Sequence, residues 1–197
     1  MTTNRTDFNE TWLCEMPSGL GSFDMLKSGK KAVHVKDNLY KIEGEQVVFY
    51  WYEEDGTIQL GTELYRKPQG LIVSVTGKNP RLKGKTPYAS DLYAAIIHDS
   101  NKSVRLLSDT QLSDEGYAIW KKLFDLGYKI SVYDTEQPGM SFKTLHSANE
   151  MDQYFAQHDI NYKRYQYVLS ENIILAETRS YFNTRRYREL VGIDLTD

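Results

Sequence analysis

Residues 70–86 read GLIVSVTGKNPRLKGKT. The first part, 70–77, is a β-branched run bounded by glycines, the composition of a buried strand. The second part, 81–86, packs Arg81, Lys83, Gly84 and Lys85 into one short turn. The residues that follow, PYASDLYAAIIHDS, place Ala89, Leu92, Tyr93 and Ile96 at i, i+3, i+4 and i+7, one face of a helix starting around Pro87. A basic, glycine-containing turn between a strand and a helix has the parts of an anion cradle: room for close approach, cations, and helix amides behind it. A solvated basic turn has the same composition, and the two readings stay open at this point. The GxxxxGK[ST] spacing of a Walker A loop is absent, as is GxGxxG.

Upstream, the chain reads as strands. NLYKIEG, EQVVFYWYEEDG and TIQLGTELYRK are rich in β-branched and aromatic residues, with Asp55-Gly56 as a hairpin turn and Lys67-Pro68-Gln69-Gly70 as a second turn. Residues 38–77 are therefore expected to form an antiparallel meander. Downstream the pattern alternates. VRLLSD (104–109) and YKISVYD (128–134) read as strands, separated by a helix capped by Ser113, ended by Gly127, and carrying Gly116, Ile119, Trp120 and Leu123 on one face. Strands 71–77, 104–109 and 128–134 are expected to be neighbours in one sheet, linked by two helical crossovers. Ser147 and Glu150 have capping-box spacing for a further helix, YQYVLSE reads as a last strand, and residues 171–191 as a final helix. SFDMLKSGKKAV (22–33) reads as a short helix. The organisation expected is an N-terminal segment (1–37), one domain (38–171) and a C-terminal helical appendage (172–197).

Composition narrows the function classes. The 197 residues carry a net charge of −3, so general attraction to nucleic acid or anionic lipid is not expected. One cysteine, Cys14, excludes internal disulfides and cysteine-based zinc sites. His34, His98, His146 and His158 have no HExxH spacing, and no metal site is expected. No apolar run reaches the roughly 20 residues of a membrane span, and MTTNRTDFNE lacks the apolar core of a signal peptide, so a cytoplasmic protein is expected. The C-terminal Arg179, Arg185, Arg186 and Arg188 alternate with Tyr181, Phe182 and Tyr187; such a mixture can grip nucleic acid, but docking of the aromatic face on the sheet is the preferred reading.

At the turn the chain resembles the GNAT superfamily, the acyl-coenzyme A-dependent N-acyltransferases. That family's pyrophosphate loop reads Gln/Arg-x-x-Gly-x-Gly/Ala after its fourth strand, matched here by Arg81 and Gly84, with Thr86 in place of the final small residue. The order of elements over residues 38–171 agrees as well. The resemblance implies an α/β fold with a mixed sheet, an antiparallel N-terminal meander, two helical crossovers and a C-terminal helix. It implies acetyl-coenzyme A or another acyl-coenzyme A as cofactor, and an amine as acceptor. Val73, Ser74 and Val75 would pair with the pantetheine. The amides of residues 82–86, with Arg81, Lys83 and Lys85, would hold the diphosphate.

Acylation of an amine needs a base for the ammonium and an acid for the departing thiolate. Candidate bases are Glu63 on the third strand and Asp109 after the fifth, with Ser108 and Ser113 beside it. Local turn and cap hydrogen bonding explains Asp109 and Ser113 equally well. The family's acid is a tyrosine at the position of Leu123 here; Tyr117 could take that role only in a shifted helix register. The alternative function is a catalytically silent fold of this type serving as a binding or assembly module, with a protein partner or a second copy. A run resembling LLSD…IW…L…G occurs in some bacteriophage proteins.

Overall fold

A computed structural model describes residues 31–100, 104–137, 142–155 and 164–170. Of the helix expected over 22–33 only 31–33 are described, and there Val33 begins a strand instead; the helix expected over 171–191, with the C-terminal arginines, lies outside the described residues. Nine strands form one mixed sheet in the order β1-β2-β3-β4-β5-β6-β9-β7-β8. They are β1 (Val33–Lys36), β2 (Leu39–Glu43), β3 (Val47–Glu54), β4 (Thr57–Lys67), β5 (Gly70–Lys78), β6 (Leu106–Leu107), β7 (Ile130–Asp134), β8 (Lys143–Thr144) and β9 (Tyr165–Leu169). Three helices are described: α1 (Ala89–Asp99), α2 (Asp114–Asp125) and α3 (Ala148–Tyr154). The fold is α/β. No helix among the described residues is long and apolar enough to cross a membrane.

The expected meander is present, and it begins one strand earlier, at Val33. Its hairpins follow from local chemistry. Asp55 and Gly56 both take positive φ (48° and 77°), as the tight turn between right-twisted strands requires. Gly70 closes the β4–β5 turn at φ +148°, where an added Cβ would lie 2.4 Å from the Arg105 carbonyl oxygen. That carbonyl accepts from Leu71 N at 2.8 Å and so ties the turn to the entry of β6.

Strand alternation sorts the side chains. Val48, Tyr50, Leu60, Leu64, Leu71 and Val73 enter one core with the buried faces of all three helices, among them Leu92, Ile96, Trp120, Leu123 and Met151. Trp120 alone buries on the order of 200 Å² of surface, about 5 kcal/mol at roughly 25 cal/mol per Å². Ile42, Phe49, Trp51 and Ile58 form a second cluster, with Trp51 stacked between Phe49 and Tyr40. On α2 the buried residues are Tyr117, Trp120 and Leu123; of the expected face Trp120 and Leu123 are buried, and Gly116 and Ile119 are half-buried. Ser113 caps it as expected, accepting from Gly116 N at 3.1 Å. Ser147 caps α3 through Glu150 N, while the Glu150 carboxylate turns back to His146 N at 2.6 Å.

One neighbour relation differs from expectation. The strands at 71–77 and 104–109 are adjacent and parallel, but β9 lies between β6 and β7, antiparallel to both. A strand's alternation reports that it has neighbours and not which ones; here Tyr165–Leu169 supplies hydrogen bonds to both sides of a gap that local pattern leaves closed.

Candidate functional site

β5 and β6 pair only at Leu71↔Leu106 and Ile72↔Leu107. Beyond Ile72 they part, for reasons visible on each side. On β5, Glu63 faces Val75 and Leu64 faces Val73, so Ser74 is an extra residue, a β-bulge that bends the strand. On the β6 side, the buried Ser108 leads the chain toward β9. Its amide donates to Tyr167 O at 2.8 Å, its hydroxyl accepts from Tyr167 N at 2.9 Å, and its carbonyl accepts from Gln166 Nε2 at 2.7 Å.

The gap is a cleft of about 260 Å³. One wall is Val73, Ser74, Val75 and Thr76. Four consecutive residues cannot reach a cleft through side chains that alternate between faces, so they also present the edge of β5 beyond Ile72, where the ladder to β6 has ended. Asp109, the 111–113 turn, and Glu115, Gly116 and Ile119 of α2 form the opposite wall, and Tyr93 of α1 closes one side. The structure thus brings Val73, Ser74, Val75 and Asp109 together.

Asp109 lines the cleft with its Oδ1 taken by a local turn, accepting from Thr110 N at 2.6 Å and Gln111 N at 3.4 Å. Glu63 is elsewhere. Opposite Phe49 in the register, it belongs to the face of the second cluster, fully buried. There its charge, first, and then burial and its hydrogen bond raise the Tyr65 hydroxyl above its ordinary value. Tyr117 also points away from the cleft. Its hydroxyl donates to Asp152 Oδ1 at 2.6 Å, its ring stacks on Phe155 at 4.0 Å, and burial, then Asp152, push its pKa up. Leu123 is fully buried in the core.

The basic turn follows β5 directly. Pro80–Leu82 form a 3₁₀ turn, and Arg81, Lys83, Gly84, Lys85 and Thr86 are exposed. The amides of Leu82, Lys83 and Lys85, expected to face an anion, instead donate to the carbonyls of Asn79, Pro80 and Leu82, and Arg81 N donates to Asn79 Oδ1. The turn spends them on its own closure. Among the described residues, only the Gly84 and Thr86 amides of this segment are left without an acceptor. Gly84 has φ +75°, with no atom within 4 Å of an added Cβ, so the space above it is open. Helix α1 begins at Ala89 rather than Pro87, because Tyr88 is extended and forms the N-cap without a capping side-chain bond. Lys83 lies close enough to α2 to help hold Glu115 low, after that residue's own amide and Ser113.

Sequence reading missed Tyr93, Thr76 and Thr62. Tyr93 donates to or accepts from Thr76 at 2.7 Å, Thr76 meets Thr62 at 2.8 Å, and Thr62 donates to Val75 O at 3.0 Å. Burial, above all, pushes the Tyr93 hydroxyl up to about 12. The only signal was a phenol within an apolar helix stripe, which needs a partner when buried. Lys78 was also missed; its ammonium stands 4.9 Å over the Tyr88 ring and bonds the Lys85 carbonyl. A larger cavity, about 640 Å³, opens at the other end of β5 beside Arg66, Lys67 and Arg105, and holds none of the expected site residues. No group of three metal-ligating side chains occurs among the described residues. In comparisons with known proteins, no family model, curated protein or solved structure matches this chain.

Proposed function

We propose that this chain binds an acyl-coenzyme A in the β5/β6 cleft and transfers the acyl group to an amine. The observation that carries the reading is the open β5 edge at residues 73–76, ending in the basic turn of 81–86. A pantetheine arm carries amide N–H and C=O groups and can add to such an edge as a short strand does. Its diphosphate would meet the Gly84 and Thr86 amides and the cations Arg81, Lys83 and Lys85. In the reaction the amine nitrogen attacks the thioester carbonyl, a C–N bond forms, the C–S bond breaks, and the proton lost by the amine ends on the thiolate. Asp109 borders the cleft with Oδ1 in its turn, leaving Oδ2 as the oxygen that could carry that proton. With Glu63 on the other face and Tyr117 bonded to Asp152, neither contributes to this scheme.

A second reading, binding without turnover, is favoured by the aliphatic Leu123 where the resembled family has its acid. One experiment separates them. Acetyl-coenzyme A at about 100 times its dissociation constant adds roughly 2.7 kcal/mol to the folded state. For a chain of this size that raises the melting point by about 5–11 °C. Gly84→Glu should abolish the rise by placing an anion where the diphosphate sits. Thiol release with a panel of amines, lost in Asp109→Asn, supports transfer. A melting shift without thiol release supports the binding module, and no shift with acetyl-coenzyme A, longer acyl-coenzymes A or free coenzyme A removes both.

A further inference from the structure

Three hydroxyls line up beneath the cleft, and their hydrogen bonds fix one another's direction. Thr62 spends its only hydroxyl hydrogen on the Val75 carbonyl, at 3.0 Å. Its contact with Thr76, at 2.8 Å, therefore has Thr76 as the donor. Thr76 then has no hydrogen left for Tyr93, so in the 2.7 Å contact Tyr93 donates. The order is Tyr93 to Thr76 to Thr62 to the Val75 carbonyl. Tyr93 lines the cleft with its proton already committed.

We infer that Tyr93 faces the cleft solely as a hydrogen-bond acceptor, that it selects ligands presenting an N–H there, and that Thr62, outside the cleft, sets this polarity. The chemical class selected is a secondary amide or an ammonium; an ester or tertiary amide of the same shape is refused. A secondary amide is the group a pantetheine arm repeats, so the inference rests on the acyl-coenzyme A reading for its natural ligand, while its polarity argument concerns the free protein. Thr62 is fully buried and is not among the residues lining the cleft. It acts on a ligand through the hydroxyls it bonds and through the Val75 carbonyl it holds, both of which Thr62→Ser keeps.

The test uses the full chain and two probes of nearly equal shape, N-methylacetamide, which has an N–H, and N,N-dimethylacetamide, which has none. Each is titrated while the amide signals of residues 73–76 and 93 are followed by NMR. The parent should bind the N–H probe with roughly 2- to 10-fold lower midpoint concentration, the range for one neutral hydrogen bond. Tyr93→Phe should shrink that ratio. Thr62→Val frees the Thr76 hydroxyl to donate to Tyr93, turning the Tyr93 hydrogen toward the cleft, so the ratio should fall to near one or invert. Thr62→Ser keeps the hydroxyl and should keep the ratio, which controls for a packing effect. Equal midpoints in the parent, or an unchanged ratio in Thr62→Val, overturn the inference. Discrimination between the probes without any acetyl-coenzyme A binding leaves it standing and removes the acyl-coenzyme A reading. Acetyl-coenzyme A binding without discrimination does the reverse.

Discussion

Tyr117 and Asp152 are 35 residues apart in sequence and joined by a 2.6 Å hydrogen bond, with Lys121 bonding the same carboxylate oxygen at 2.9 Å. This contact fastens α3 to α2 and removes Tyr117 from the cleft. Tyr117→Phe should cost about 1 kcal/mol of stability, given the exposure of Asp152, and leave ligand binding in the cleft unchanged. The hydrogen bond from Tyr117, then Lys121, hold Asp152 below its ordinary value of 3.8. Its contribution is present above that value and is lost as pH falls through the lower, folded-state value. Thermal melts of parent and variant from pH 7 down to pH 2 should therefore converge at the acid end.

Lys41 joins β2 to the last residue of α1, with Nζ 2.8 Å from Asp99 Oδ2 and 2.8 Å from Glu43 Oε1. Burial works to lower the ammonium, but its bonds to Asp99 and Glu43 outweigh it and hold the pKa above 10.5. The stabilisation is complete below that ordinary value and is lost as pH rises through the raised one. Lys41→Met should cost about 1–2 kcal/mol at neutral pH by denaturant titration. The gap from the parent should narrow as pH rises through that raised value. A constant gap across that range would show that the ammonium's charge is not what stabilises the parent.

Gly70 and Gly84 both hold positive φ, yet they should respond differently to alanine. At Gly84 the space is open, and the cost should be about 1–2 kcal/mol from the backbone conformation alone. At Gly70 the new Cβ would also meet the Arg105 carbonyl oxygen at 2.4 Å, and backbone must move. Gly70→Ala should therefore lower the denaturant midpoint clearly more than Gly84→Ala. Equal effects would mean that the β4–β5 turn can shift away from β6 freely.

Ser108 holds the end of β6 against β9. Ser108→Ala leaves the Tyr167 amide without the hydroxyl that accepts from it at 2.9 Å in a fully buried setting. The expected cost is about 1–3 kcal/mol, with faster hydrogen exchange at the Tyr167 amide. Exchange at that amide unchanged from the parent would show that another acceptor takes over.

Much of the fold is written locally. The turn at Asp55-Gly56, the Ser113 cap and the stripe through Leu92, Tyr93 and Ile96 each depend on residues within a few positions of one another. Backbone strain, capping and helical period act over that range, so they can be read directly. The candidate site was legible in part for the same reason. Val73, Ser74 and Val75 were named from the family resemblance at the neighbouring turn, and they line the cleft.

What tertiary structure decided is which strand fills the space beside β6, and which way each polar side chain faces. The insertion of β9 between β6 and β7 depends on Tyr165–Leu169 pairing across a long sequence separation. Glu63 lies away from the cleft because it sits on β4, behind the β5 strand that lines it, and on the face of Phe49. Tyr117 and Tyr93 are both phenols on helices, indistinguishable by type. Asp152, on another helix, claims the first; Thr76, on the parted strand, sets the second at the cleft. The sequence determined the elements and their turns, because those energies are short-ranged. The cleft exists only where β6 stays paired with β9 while β5, bulged at Ser74, parts from it, and that is settled in three dimensions.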